Sequence, residues 1–224
     1  PYGALGLGGD ISLEFWYHRA MAESIFITGG TGCIGSYVVD DLIAHSDLDL
    51  HLLVRDPKRV PERVAALDRV NLHQGDIARI EEQEALIRTM DYIVHIATDW
   101  SESDFAFHIN VEKTFRLFEY CRSVKCKKII YFSTASILGP GNRAVPEAGT
   151  LGSAYVRSKY KAYQLLQHDG IREKVYTVFP TMVFGGDDSH PYSHISEGIV
   201  PNVHYLKLLR FIYLEMGFHF LHSK

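Results

Sequence analysis

The sequence predicts an α/β protein with a doubly wound parallel sheet, and three observations predict it. Short β-branched runs alternate with longer segments of helical period from Met21 onward, the pattern of strands joined by crossover helices. A glycine-rich turn, Thr28-Gly-Gly-Thr-Gly-Cys-Ile-Gly35, separates the first strand from the first helix. No self-similarity recurs at a period of about 20 to 50 residues, which sets repeat architectures aside.

The elements follow in order. Ser24–Thr28 reads as the first strand and Cys33–His45 as the helix behind it. Leu50–Val54 is the second strand, Pro61–Leu67 a short helical stretch and Val70–His73 the third strand. Ile80–Met90 reads as a helix, Tyr92–Ile96 as the fourth strand and Phe105–Arg122 as a long amphipathic helix. Lys128–Ser133 is the fifth strand and Ser153–His168 the next helix. Val175–Phe179 is the sixth strand, ended by Pro180, which cannot donate to a ladder.

Composition excludes several classes. The 224 residues are 46% hydrophobic and 22% charged, enough to bury a real core. With 23 basic against 27 acidic residues the net charge is −4, so no field holds a polyanion and nucleic acid is not an expected partner. Cys33, Cys121 and Cys126 form no C-x-x-C pair, which fits a reducing, cytoplasmic setting. No apolar run approaches the ~18 to 20 residues a membrane span needs. Residues 1–20 lack a basic n-region and carry Asp10 and Glu14, so they read as an extension or linker and not as a secretory signal.

In the glycine turn, Gly29, Gly32 and Gly35 form G-x-x-G-x-x-G between strand and helix. A pyrophosphate needs close backbone approach and the N–H groups at a helix N-terminus, so this motif in this place predicts dinucleotide binding. Arg55 closes the second strand, twenty residues past Gly35, where an acid would hold a ribose hydroxyl. A guanidinium there favours a 2′-phosphate, hence NADP over NAD. The alternative is that Asp56 turns inward and Arg55 faces solvent. Asp76, after the third strand, either meets the adenine amino group or forms a turn.

Tyr155 and Lys159 stand four apart at a helix start, on one face, with Phe132-Ser-Thr-Ala-Ser136 about twenty residues earlier. An ammonium near a phenol favours phenolate, lowering the tyrosine pKa from about 10 toward the working range of a general acid/base. A Thr134 hydroxyl then holds the substrate carbonyl or alcohol.

These residues resemble the extended branch of the short-chain dehydrogenase/reductase superfamily, the branch of NAD-dependent epimerases, dehydratases and reductases. The resemblance runs from Ser24 to the end. It rests on TGGTGCIG, Gly75-Asp-Ile77, His95-Ile-Ala-Thr98, Asn110 with NVEKT, FSTASILG from Phe132 to Gly139, YVRSK, and FPTMVFG from Phe179 to Gly185. It implies a Rossmann fold, Tyr155 as acid/base, Lys159 as its electrostatic partner and nicotinamide-ribose ligand, and Thr134 as substrate-orienting residue, with Ser133 or Ser136 as substitutes. Together with the residues already named, it implies a cofactor-binding set of Gly29, Gly32, Cys33, Ile34, Gly35, Arg55, Asp76, Ile77, Ala97, Thr98, Lys159 and Pro180.

Departures narrow the reaction. The family's dehydratases carry Asp and Glu after the Thr, where this chain has Ala135 and Ser136, which argues against dehydration. Arg55-Asp56-Pro57 resembles the NADP-preferring reductases of the dihydroflavonol-reductase and hydroxysteroid-dehydrogenase type. Reduction of a small carbonyl substrate with NADP(H) is therefore expected first. NAD-dependent sugar-nucleotide epimerisation is the alternative, and a non-catalytic NADP(H)-binding sensor or scaffold the second. His190/His194 and His219/His222 lack a carboxylate to complete a ligand set, so no metal is expected. Lys125–Lys128 reads as a solvated helix-to-strand connection. Val203–Leu214 reads as a core or dimer-facing helix, which admits a homodimer.

Residues 21–180 thus form the expected dinucleotide-binding domain. Residues 181–224 are short for the substrate-covering region and the returning strand and helix that the family places there, and Gly217–His222 resembles that strand. A partial substrate-binding region is expected. Such a chain should bind NADP(H), turn over poorly and associate through an uncovered apolar face.

Overall fold

The computed structural model describes residues 22–123, 125–199 and 220–222. The expected extension at 1–20 and the helix at 203–214 lie outside them. Six strands, β1 (Ser24–Thr28), β2 (Asp49–Val54), β3 (Val70–Gln74), β4 (Tyr92–His95), β5 (Lys128–Phe132) and β6 (Val175–Val178), form one sheet of order β3-β2-β1-β4-β5-β6. Every pair in it is parallel. The chain direction across the sheet reverses between β1 and β4, opening a crevice at the carboxyl ends of these strands. This is the Rossmann-type fold expected from the sequence.

Alternation along β1 feeds two core layers. Phe26 packs on one face with Ile87, Leu117, Phe118, Ile129 and Leu166. Ile25 and Ile27 pack on the other with Val39, Leu50, Leu52 and Val64. Val39 comes from α1 (Cys33–His45), the helix behind the glycine turn. At the far edge, Tyr176 and Val178 of β6 and Ile130 of β5 stay exposed.

Three helices differ from expectation. After Pro61 the 61–67 stretch holds one turn, α2 (Glu62–Ala65). The expected helix at 80–90 is a 3₁₀ segment, Ile77–Gln83, followed by α3 (Glu84–Ile87). Arg79 at φ −122°, ψ 40° interrupts it. The expected 105–122 helix runs as α4 (Asp104–Phe107), a π-helical turn at His108–Lys113, and α5 (Thr114–Tyr120). Buried polar groups account for the wide turn. The Thr114 hydroxyl donates to the Ile109 carbonyl at 3.3 Å and accepts from His95 Nε2 at 2.9 Å, while Thr28 donates to His95 Nδ1 at 2.7 Å. Burial holds this imidazole neutral, with a pKa of about 3.

Helix α6 (Ala154–Gln167) covers the β5 side, its N-terminus capped by Ser153. Beyond Pro180 the chain leaves the sheet and forms β7 (Met182–Phe184) and α7 (His194–Ile199). The expected returning strand does not rejoin the six-stranded sheet. Its described part, β8 (Phe220–His222), pairs in parallel with β7 as a separate ladder. Its partner β7 lies past Pro180, after the chain has left β6, so the two short strands pair apart from the main sheet. No helix among the described residues is long and apolar enough to cross a membrane.

At the amino ends of the strands, Asp91 is a buried carboxylate. It accepts from Ser24 N and Oγ at 3.0 and 3.1 Å and pairs with Lys125 at 2.9 Å and Lys127 at 3.6 Å. Lys125–Lys128 is therefore more than the solvated connection expected. Lys127 also pairs with Glu23, and Lys128 lies 4.9 Å from the Tyr176 ring. Burial alone would raise the Asp91 pKa, but Lys125 and Ser24 outweigh it and leave the carboxyl below its ordinary value. Asp91→Asn should thus cost about 1.5 to 3 kcal/mol at pH 7. In the wild type this stabilisation is present above the unfolded carboxyl pKa of about 3.9 and is lost as pH falls through the depressed folded value. Urea midpoints at pH 7 and pH 3 should differ less in the variant. An unchanged difference would remove Asp91 from this role.

Candidate active site

The site begins with a steric constraint. Gly29 has φ +78°, and a Cβ on it would meet Ala97 N at 2.6 Å. One on Gly35 would meet the Gly29 carbonyl oxygen at 2.0 Å. These two glycines let β1, α1 and the strand end after β4 touch through backbone. Gly32 differs. Its backbone is extended, at φ −88° and ψ 174°, and a Cβ there would make only ordinary contact, 3.4 Å from the Gly29 oxygen. Internal packing does not require glycine at this position. The open side of Gly32 is the cleft, which it lines. Gly32 is also the N-cap of α1 and has no side chain to cap it, so the positive end of the helix faces the cleft.

That cleft has a volume of about 860 Å³. It brings together all the residues anticipated from the sequence: Gly29, Gly32, Cys33, Ile34 and Gly35 of the turn, Arg55, Asp76, Ile77, Ala97, Thr98, Thr134, Tyr155, Lys159 and Pro180. Arg55 lines it. Asp56 caps the next turn, its Oδ1 accepting from Lys58 N at 3.0 Å. Arg59 was missed by sequence reasoning but lines the same end. Asp76 serves as a turn-former, accepting from Ala78 N at 2.9 Å through one oxygen.

Asn110, buried in the π-helical turn, orders the opposite wall. Its Oδ1 accepts from Thr98 Oγ1 at 2.8 Å and Asp99 N at 2.9 Å. Its Nδ2 donates to the Asp99 carbonyl at 2.8 Å and Ser158 Oγ at 2.9 Å. The 97–103 loop is thereby tied to α6, and Glu102 in it accepts from Ala154 N at 2.9 Å. Helix α6 in turn brings Tyr155 and Lys159 to the cleft floor.

Thr134 lines the cleft with Tyr155, and its hydroxyl accepts from Ser136 N at 3.2 Å. Lys159 donates to the Phe132 carbonyl at 2.9 Å and lies 5.0 Å from the Tyr131 ring centre. The anticipated lowering of the tyrosine pKa by lysine is not realised in this arrangement. Burial raises Tyr155 to about 12, with only the Thr134 side chain opposing it, and burial lowers Lys159 to about 7. Backbone holds the ammonium where the phenol was expected to. Ser133 Oγ, on the cleft wall, is buried with no hydrogen-bond partner.

Two features escaped the sequence. Trp100 stacks on Tyr155 with ring centres 3.8 Å apart and planes 20° apart. The segment after β7 folds back over α1. His190 bridges Asp40 and Asp187, each at 2.9 Å, and stacks on Tyr37 at 3.9 Å. A second cavity of about 360 Å³ lies beneath it. Hydrogen bonding to His190 lowers Asp187 to about 2. No sequence signal marks either contact, because both join segments far apart in the chain.

Comparison with known proteins places this geometry in context. The model of the "NAD dependent epimerase/dehydratase family" matches residues 25–207. The 2-alkyl-3-oxoalkanoate reductase of Shewanella oneidensis is 24% identical over 188 residues, 76% of this chain and 47% of that protein. A solved dTDP-glucose 4,6-dehydratase from Bacillus anthracis, in complex with NAD, superposes with a TM-score of 0.67 at 21% identity. It covers 90% of this chain and 68% of its own. The terminal R domain from the myxalamid PKS-NRPS biosynthetic pathway gives a TM-score of 0.62 at 23% identity, over 73% of this chain and 50% of its own. The chain spans about half the length of the curated relatives it matches first. At these identities the superpositions show the fold.

The glycine geometry separates two roles. Gly35→Ala should cost about 1 to 3 kcal/mol of stability through backbone overlap. Gly32→Ala should cost only about 0.5 to 1 kcal/mol, as loss of an N-cap glycine, while weakening NAD(P)H binding at least as much as Gly35→Ala does. Thermal unfolding and fluorescence titration measure the pair. Equal destabilisation by both would contradict the assignment of Gly32 to the cleft.

Proposed function

The chain belongs to the NAD dependent epimerase/dehydratase family, and on that premise we propose that it is a carbonyl reductase using NADPH. One observation carries the reading: Tyr155, Thr134 and Lys159 meet on the floor of the cleft that the glycine turn opens. The cofactor would lie with its pyrophosphate on Gly29–Gly35 and its adenine by Asp76 and Ile77. Ala97, Thr98 and Pro180 would flank it, and Lys159 would hold its nicotinamide ribose. When bound, it supplies a hydride to the carbonyl carbon. Tyr155 gives its phenolic proton to the carbonyl oxygen and Thr134 donates to the same oxygen, so carbonyl, hydride and proton become an alcohol. A phenol held at about 12 remains protonated at neutral pH, the form that reduction requires and that alcohol oxidation does not.

The choice of NADPH rests on charge. Arg55 and Arg59 line one end of the cleft, and neither guanidinium has an ion-pair partner among the described residues. A phosphate dianion satisfies two such groups better than a ribose hydroxyl does. The 2-alkyl-3-oxoalkanoate reductase among the relatives and the missing Asp-Glu pair after Thr134 favour reduction over dehydration.

Arg55→Ala should weaken NADPH binding by about 1.5 to 3 kcal/mol, roughly 10- to 150-fold, with little effect on NADH. Isothermal titration measures both, and equal NADPH affinity in the variant removes the 2′-phosphate assignment. Tyr155→Phe should leave cofactor affinity near wild type and lower NADPH oxidation by about 10² to 10⁴, whereas Lys159→Met should damage both. Retention of more than about a third of the rate by Tyr155→Phe would overturn its role as proton donor.

A further inference from the structure

The cleft is chemically divided. Arg55 and Arg59 lie at its β2 end. Around Tyr155 the charged lining is different, with the carboxylates of Asp99 and Glu197, the buried Lys159, and His194, which has Glu197 at 3.9 Å. No exposed Lys or Arg lines this part among the described residues. It presents instead Trp100, Phe105 and Met182, which are 55%, 50% and 36% exposed. Large apolar side chains gathered at one solvent-facing cleft mark a surface built for an apolar ligand.

Trp100 holds the central place. One ring face lies on Tyr155 and the His194 ring approaches it edge-on at 6.1 Å. The loop bearing it is pinned on both sides. Asn110 accepts from Asp99 N at 2.9 Å, and Asp99 Oδ1 accepts from Ser101 N at 2.9 Å. The indole is therefore preorganised beside the proton donor although more than half of it faces solvent. A nucleoside diphosphate substituent would bring two phosphate charges to this wall with two carboxylates and, among the described residues, no accessible Lys or Arg to meet them.

We infer that Trp100 is a specificity-determining platform: it receives a flat, uncharged, apolar substituent of the carbonyl substrate on its exposed indole surface, and this wall disfavours nucleotide-sugar substrates. The inference rests on the reductase reading for the carbonyl chemistry, but not for the binding of the flat group. Offset stacking adds to simple burial of the substituent, and loss of the indole removes both.

The test uses the full chain with Trp16→Phe, leaving Trp100 as its sole tryptophan. A bicyclic aryl ketone, 1-tetralone, should quench Trp100 fluorescence saturably, and UDP-glucose at the same concentrations should neither quench nor compete. By calorimetry, Trp100→Ala should lower tetralone affinity by about tenfold and Trp100→Phe by no more than about threefold, following the loss or retention of an aromatic face. In turnover, Trp100→Ala should raise KM for tetralone more than it lowers kcat, and should reduce the preference for tetralone over acetone. Unchanged tetralone affinity in Trp100→Ala, or tighter binding of UDP-glucose than of tetralone, overturns the platform. NADPH oxidation with acetone but no tetralone binding would defeat this inference and leave the reductase reading standing. Saturable tetralone quenching without NADPH oxidation by any carbonyl would do the reverse.

Discussion

Everything in the cleft depends on three backbones touching without side chains between them. The 2.0 Å overlap that a Cβ on Gly35 would suffer with the Gly29 carbonyl, and the 2.6 Å approach of one on Gly29 to Ala97 N, hold β1, the start of α1 and the segment after β4 in one cluster. Its consequences run outward. The uncapped start of α1 is aimed across the crevice, and the Ala97 backbone fixes where the 97–103 loop departs. Trp100 and Glu102 ride on that loop.

A buried polar relay extends the order to the far wall. Thr28, His95 and Thr114 connect β1 and β4 to the π-helical turn, and the Thr114 bond to the Ile109 carbonyl leaves one consistent direction for the protons. The imidazole is neutral because burial penalises its charge and Lys159 lies near. The same wide turn buries Asn110, whose amide satisfies Thr98, Asp99 and Ser158 at once. A regular α-helix through 108–113 would rotate Asn110 away from this position. The irregularity is thus the means by which α6, and Tyr155 on it, is registered against the glycine turn.

Electrostatics divides the cleft by function. Two guanidiniums with no ion-pair partner among the described residues stand at one end, and aromatic groups with carboxylates at the other. Between them, Tyr155 and Lys159 lie on adjacent turns of one helix, but the lysine ammonium is satisfied by Phe132 instead of the phenol. Burial accordingly leaves the tyrosine protonated at neutral pH and the lysine near its titration point.

The order of strands, the glycine turn and the residues gathered in the cleft were legible in the sequence because they are carried by local signals: period-two runs, glycines at a helix start, and a Tyr and Lys four apart. Helix lengths were less legible. The wide turn at 108–113 answers to polar partners on β1 and β4, which no local window contains. Position likewise decided the meaning of charge. Lys125 and Lys127 read as solvated in the sequence, but the fold gives both to Asp91, and Lys159, placed by spacing to serve the phenol, donates to the Phe132 carbonyl. Trp100 and Arg59 had no distinguishing pattern, and His190 stood out only as half of the His190/His194 pair, with no signal for Asp40 or Tyr37 as its neighbours. What the sequence by itself determined was the parallel sheet and the place of its crevice, since these follow from periodicity and steric exclusion along the chain. Which side chains face one another across that crevice only the tertiary structure decided, because hydrogen bonds and ring contacts depend on distances between segments that the chain brings together only by folding.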